Sequence, residues 1–248
     1  MERVLERIAL SKYKDFVVLK GGFLIASFIG IMNRSTMDLD ATIRDYSVSE
    51  SNIRSMIEDI IVIDTKDDVT FNLIGIKNIR EDDEYNGYRI HLEANFERIV
   101  QNLKLDFSTG DKITPKAIKY SYNKMFGNEK IDILTYNLET ILAEKLETVL
   151  SRGVANTRMR DYYDIYVLRI LKGEEVDFEL FRRAFENTAT KRGTIDLLNF
   201  STEVINSIEA SQVLHKLWNA YSSNYSYANN IGYNDTVSAI KWLAKGII

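Results

Sequence analysis

The sequence predicts an α+β fold in which a mixed sheet carrying helices is followed by a C-terminal helical bundle. Three observations predict it. Short apolar or alternating runs are interleaved with helical segments through the first half. The texture changes after the chain's only proline, Pro115. Beyond it, apolar residues recur at helical spacing to the end. The expected division is 1–130 and 131–248, with a soft boundary near residues 115–135.

Val17-Val18-Leu19 reads as a buried strand, and Gly22 to Ile31 as a helix whose first turn exposes backbone N–H groups suited to phosphate. Leu39 to Ile43 is the next strand. Val48 to Ile61 reads as a helix with Ile53, Met56, Ile57, Ile60 and Ile61 on one side. The segments at 70–76, 88–94 and 102–107 alternate as half-buried strands do. A short strand is expected at Lys130 to Leu134. Leu138 to Arg152 then places Leu138, Ile141, Leu142, Leu146, Val149 and Leu150 on one helical stripe. Breaks in the helical half fall at Gly153 to Thr157, at Lys172-Gly173 and in the Tyr- and Asn-rich stretch Ser222 to Asn234.

At 248 residues, 45% of them hydrophobic, the chain can bury a sizeable core. No segment has the length and apolarity to cross a bilayer, and the start, Met1-Glu2-Arg3-Val4-Leu5-Glu6-Arg7, lacks the order of a signal peptide. With no cysteine either, a cytoplasmic location is expected. A net charge of −4 argues against a uniformly basic surface, yet a local basic groove for RNA remains compatible with it.

Asp38-Leu39-Asp40 is the most informative motif. Two carboxylates two residues apart on a strand share a face and can hold a divalent metal between them. Asp106, in the alternating run Lys104-Leu105-Asp106-Phe107, reads either as a third carboxylate for the metals or as a turn acid beside Ser108-Thr109-Gly110-Asp111. Lys145 reads either as a point charge for phosphate or as an ordinary helical lysine. Asp161 and Asp164 lie one helical turn apart, and Asp161 stands where a helix dipole favours an acid. Arg152, Arg158 and Arg160 suit phosphates, RNA or these same acids. Tyr162, Tyr163, Tyr166 and the tyrosines from Tyr221 to Tyr233 read as base-stacking groups or as half-buried helix residues. Arg182-Arg183 and Lys191-Arg192 read as phosphate binders or solvated pairs. His91 and His215 lack partners at metal-ligand spacing.

Taken together, Leu19-Lys20-Gly21-Gly22, Arg34-Ser35, Met37-Asp38-Leu39-Asp40, Leu103-Lys104-Leu105-Asp106-Phe107, Ala143-Glu144-Lys145, Ser151-Arg152 and Arg160-Asp161-Tyr162-Tyr163-Asp164 resemble the AbiEii/AbiGii-type nucleotidyltransferase toxins of abortive-infection and type IV toxin–antitoxin systems. The likeness spans roughly residues 17 to 168, and its specificity lies in the order and combination of the motifs.

The resemblance implies a DNA polymerase β-like core, completed by the C-terminal domain, that uses a nucleoside triphosphate and Mg2+. It assigns Asp38 and Asp40, with Asp106, to the metal. Gly21, Gly22, Arg34 and Ser35 would cradle the triphosphate, with Lys145, Arg152, Arg160 and Asp164 on the nucleotide and Asp161 in or beside the active site. It further implies RNA as acceptor, the tRNA 3′ end above all, with arrest of translation, defence against phage and a cognate antitoxin. A transferase acting on a small-molecule or protein hydroxyl, or a nucleotide-binding regulator without turnover, are the alternatives. Two departures stand out. A Gly-Gly pair replaces the Gly-Ser of classical nucleotidyltransferases, and the segment before Val17 is shorter than in many relatives.

Overall fold

The computed structural model describes residues 1–30, 32–34, 36–79, 87–125 and 128–248. It falls into two compact units, Met1–Asp111 with Ala117–Tyr136, and Lys112–Lys116 with Asn137–Ile248.

The first unit carries strands β1 (Val17–Lys20), β2 (Asp38–Ile43), β3 (Thr70–Asn78), β4 (Gly87–Phe96), β5 (Ile99–Thr109), β6 (Ile118–Asn123) and β7 (Lys130–Thr135), with helices α1 (Glu2–Leu10), α2 (Gly21–Ile29) and α3 (Glu50–Ile61). Among the described residues the strands form one sheet in the order β3-β4-β5-β2-β1-β7-β6. Its centre is mixed. β1 runs antiparallel to β2 and parallel to β7, while β2 runs parallel to β5.

Alternation along β2 and β5 sorts their side chains onto two faces. Leu39 lies opposite Leu105 and Ala41 opposite Phe107, all at 0–1% exposure. Asp38, Asp40 and Asp106 therefore occupy the other face. The fold is the α+β architecture expected, with two elements unforeseen. α1 buries Val4, Leu5 and Ile8 completely, because its apolar positions recur at 3–4-residue spacing in an otherwise charged segment. β6 is a mostly exposed strand at the sheet's edge, where Ile118, Tyr120 and Tyr122 alternate with polar residues over only six positions.

The second unit is built of α4 (Leu138–Arg152), α5 (Met159–Lys172), α6 (Phe178–Lys191), α7 (Leu197–Ala210), α8 (Gln212–Asn224) and α9 (Tyr233–Ala244). Asn137 caps α4 by accepting from the Thr140 N–H, Asp177 caps α6 and Ser211 caps α8. Leu142, Leu146, Ile165, Leu168, Phe181, Phe185, Trp218, Ile240 and Leu243 form its core. Tyr162 and Tyr163 are 0% and 1% exposed, so they belong to that core and have no face to offer a base. Their helical spacing gave no hint of which side of α5 is buried. Among the described residues no helix is long and apolar enough to cross a membrane.

Candidate active site

The site in the first unit begins where β1 turns into α2. Gly21 sits at φ +70°, in the left-handed region open to glycine, and a Cβ there would lie 2.1 Å from the Asp40 Oδ2. The glycine thus lets the Asp40 carboxylate close onto the start of the helix, where the Gly22 N–H donates to it. A Cβ on Gly22 would in turn lie 2.7 Å from the Arg34 Nη2, and Arg34 is 1% exposed. The second glycine therefore makes room for a guanidinium where a serine would place its hydroxymethyl group. Ser35 lies outside the described residues.

Register sets the charges of this face side by side. Lys20 on β1 pairs with Asp40 on β2, Asp40 with Asp106 on β5, and Asp106 with Arg89 on β4. Directly opposed residues share a face, so these four form one row across the sheet. One pleat along, Asp38 stands opposite Lys104. Lys20 Nζ reaches Asp111 Oδ2 at 2.5 Å, and Arg89 grips Asp106 with two bonds, Nε to Oδ1 at 2.8 Å and Nη2 to Oδ2 at 2.7 Å. Burial pushes the Asp40 carboxyl up, and Asp106 and Asp38 push it the same way against Lys20 and the Gly22 N–H.

A crowded carboxylate of that kind is stabilised by a cation. Asp38 and Asp40 supply two hard oxygen donors on one strand face, a set that fits a magnesium ion whose other positions are filled by substrate phosphates and water. Asp106 stands next to them with both oxygens bonded to Arg89. Among the described residues no cluster of three His, Cys, Asp or Glu side chains is arranged as a metal site.

A second constellation lies within the helical unit. Lys145 on α4 meets Asp161 Oδ1 at 2.8 Å and Asp164 Oδ2 at 2.7 Å, both on α5, and Arg158 Nε approaches Asp161 Oδ2 at 3.3 Å. The two acids are 6% and 0% exposed in their side chains and Lys145 13%. Burial alone would lower the Lys145 ammonium, but the two carboxylates outweigh it and hold the lysine above its ordinary value, firmly charged. The one-turn spacing of Asp161 and Asp164 is what brings both onto a single ammonium. Arg152 and Arg160 are exposed, at the end of α4 and the start of α5.

Sequence reasoning missed Lys20 and Arg89. Lys20 had a signal, its position immediately before the glycine pair. Arg89 had none, since only the pairing of β4 with β5 brings it to Asp106.

A glycine pair opening a helix beside a strand that presents Asp-x-Asp is the apparatus of nucleotidyl transfer, and the protein is a nucleotidyltransferase. Over residues 3–241 the chain matches the model of the nucleotidyl transferase AbiEii toxin family of type IV toxin–antitoxin systems, and it belongs to that family. Membership implies a nucleoside triphosphate substrate and an antitoxin partner. The fold is shared with JHP933 from Helicobacter pylori, at a TM-score of 0.55 and 18% identity over 100% of this chain and 88% of that one. It is shared also with a proposed nucleotidyltransferase from H. pylori, at a TM-score of 0.50 and 15% identity over 100% and 91%. Among curated proteins the sequence has no match.

Proposed function

We propose that this toxin transfers a nucleotide from a nucleoside triphosphate to RNA, at the 3′ end of tRNA, in a magnesium-dependent reaction that stops translation in the cytoplasm and serves defence against phage. The observation that carries the reading is the seating of Asp40 against Gly21, with Asp38 on the same strand face.

In the reaction the acceptor's terminal hydroxyl oxygen forms a bond to the α-phosphorus. The bond from that phosphorus to the bridging oxygen breaks, pyrophosphate leaves and the hydroxyl proton is lost to solvent. Asp38 and Asp40 would hold the magnesium ion, which supplies charge stabilisation and alignment of the phosphates when bound. The α2 N-terminus would orient the triphosphate, with the buried Arg34 guanidinium adding positive charge behind Gly22. Arg152 and Arg160, being exposed, are available to the phosphates of RNA.

The test is incubation with Mg2+, each α-labelled nucleoside triphosphate in turn and total tRNA. Label should enter tRNA with the native protein and fall by on the order of 10³-fold or more in Asp38→Ala/Asp40→Ala. Label confined to protein or small molecules would reject RNA as acceptor, and undiminished transfer by the double variant would reject the site.

A further inference from the structure

The two faces of β3, β4 and β5 differ. One is packed, with Phe71, Tyr88, Leu92, Leu103 and Leu105 all at 8% exposure or less. The other carries Asp106 and is open. From Asp106 the register runs to Arg89 on β4 and Lys77 on β3, and one pleat along it runs from Asp38 through Lys104 to His91. Lys77 and Lys104 are exposed, and His91 is half-buried. Beyond Asp106, the acid that these strands carry on this face is Glu93, and the side-chain amides of Asn72 and Asn95 donate to it.

β3 departs from regular pairing at the second row. Leu73 pairs with Leu92 and Gly75 with His91, so Ile74 is an extra residue, and the bulge sets it beside Gly75 against His91. Ile74 is 61% exposed there, and Val100, on the same face of β5, is 59% exposed. Lysines interleaved with apolar side chains and an imidazole match a chain of phosphates and bases. Direction of approach agrees with this chemistry. The triphosphate is received on the β1 side of Asp40, where α2 begins. An attacking hydroxyl reaches the α-phosphorus from the side opposite the leaving pyrophosphate, so the acceptor comes in over β5, β4 and β3.

We propose that this open face binds the single-stranded 3′ end of the RNA acceptor, with Lys104 and Lys77 on its phosphates and Ile74, Val100 and His91 beneath its bases. Neighbouring strands lie roughly 4.8 Å apart, so the face extends about 10 Å from Asp106 on β5 to Lys77 on β3 and delivers the last hydroxyl to the acids. Contacts to phosphate and base plane leave the base edges unread, which makes the binding tolerant of sequence. This rests on the reading above that RNA is the acceptor.

The test is fluorescence anisotropy of 5′-labelled tRNA titrated with the full chain at several salt concentrations, without nucleoside triphosphate. Lys77→Glu/Lys104→Glu should weaken binding by about tenfold or more and reduce the slope of log affinity against log salt by about 1.5. Lys119→Glu/Lys130→Glu makes the same charge change at exposed positions on β6 and β7, beyond β1 in the sheet, and should alter binding by less than about twofold. Ile74→Ala/Val100→Ala should weaken it by about threefold or more with the salt slope unchanged. Thermal melts identify any variant that fails to fold, and Lys77→Gln/Lys104→Gln then carries the charge test. Native affinity in either face variant, or an equal loss in the β6–β7 control, would overturn the proposal while leaving RNA as acceptor. A native protein that neither binds tRNA nor labels it would overturn both.

Discussion

Two acid–cation contacts of this protein have nearly the same length and opposite surroundings. Asp106 meets Arg89 at 2.7–2.8 Å with 41% of the arginine side chain in water, while Asp161 and Asp164 meet Lys145 at 2.8 and 2.7 Å with no side chain of the three above 13% exposed. Distance alone would rank them as equals. Burial separates them, because an exposed pair exchanges water for a partner at little net gain, whereas a buried one leaves a stranded charge if either side is removed. The sheet's contact is free to serve chemistry, and the helical unit's is bound up with folding.

The largest effect that tests this contrast is on Lys145. Lys145→Ala leaves two carboxylates buried without their ammonium, and should destabilise the protein by about 5 kcal/mol, the upper end for a broken buried pair. Lys145→Ala with Asp161→Asn and Asp164→Asn should recover part of that loss. Chemical denaturation of the three proteins provides the measurement. An unchanged midpoint in the single variant would mean that Lys145 is available for substrate at no structural cost.

A buried pair within the sheet unit sharpens the comparison, since burial rather than the unit should decide the outcome. Arg7 meets Asp67 with two bonds of 2.8 Å, the side chains being 3% and 4% exposed. Burial would raise the Asp67 carboxyl, but Arg7 and the Val69 N–H overcome it and hold the acid well below its usual range. A carboxyl depressed in the folded state stabilises it fully above the unfolded value, near pH 4, and that contribution is lost as pH falls through the folded value. Asp67→Asn should therefore cost about 3 kcal/mol at neutral pH and progressively less below about pH 4. Denaturation midpoints at pH 7 and pH 3 check both magnitude and sign.

How far the site was legible follows from the range of the interactions that build it. Local periodicity marked α4 at Leu138–Arg152 and the alternation of β2 and β5, and so put Asp38, Asp40 and Asp106 on strands. Helical spacing likewise put Asp161 and Asp164 on one side of α5. What stayed hidden was long-range. Arg89 meets Asp106, seventeen residues further along the chain, through the register of the β4–β5 hairpin, and nothing in Tyr88-Arg89-Ile90-His91 distinguishes it from any solvated strand. The burial of Tyr162 and Tyr163 depends on packing that periodicity along α5 alone does not fix. The glycine pair was legible as a turn. Its steric reason, Asp40 against Gly21 and Arg34 against Gly22, came only from tertiary packing.

The smallest expected effect is the most discriminating. Arg89→Gln should shift stability by less than about 1 kcal/mol, because an exposed guanidinium returns to water almost as well as it binds Asp106. The glutamine amide can still donate one hydrogen bond to the carboxylate, so Asp106 is not stranded, and its own partial exposure lets water supply the rest. Thermal unfolding in the absence of divalent ions isolates this quantity. A loss approaching that of Asp67→Asn would make Arg89 a strut of the sheet and erase the difference between the two kinds of pair. A loss near zero would show that the contact carries none of the sheet's stability.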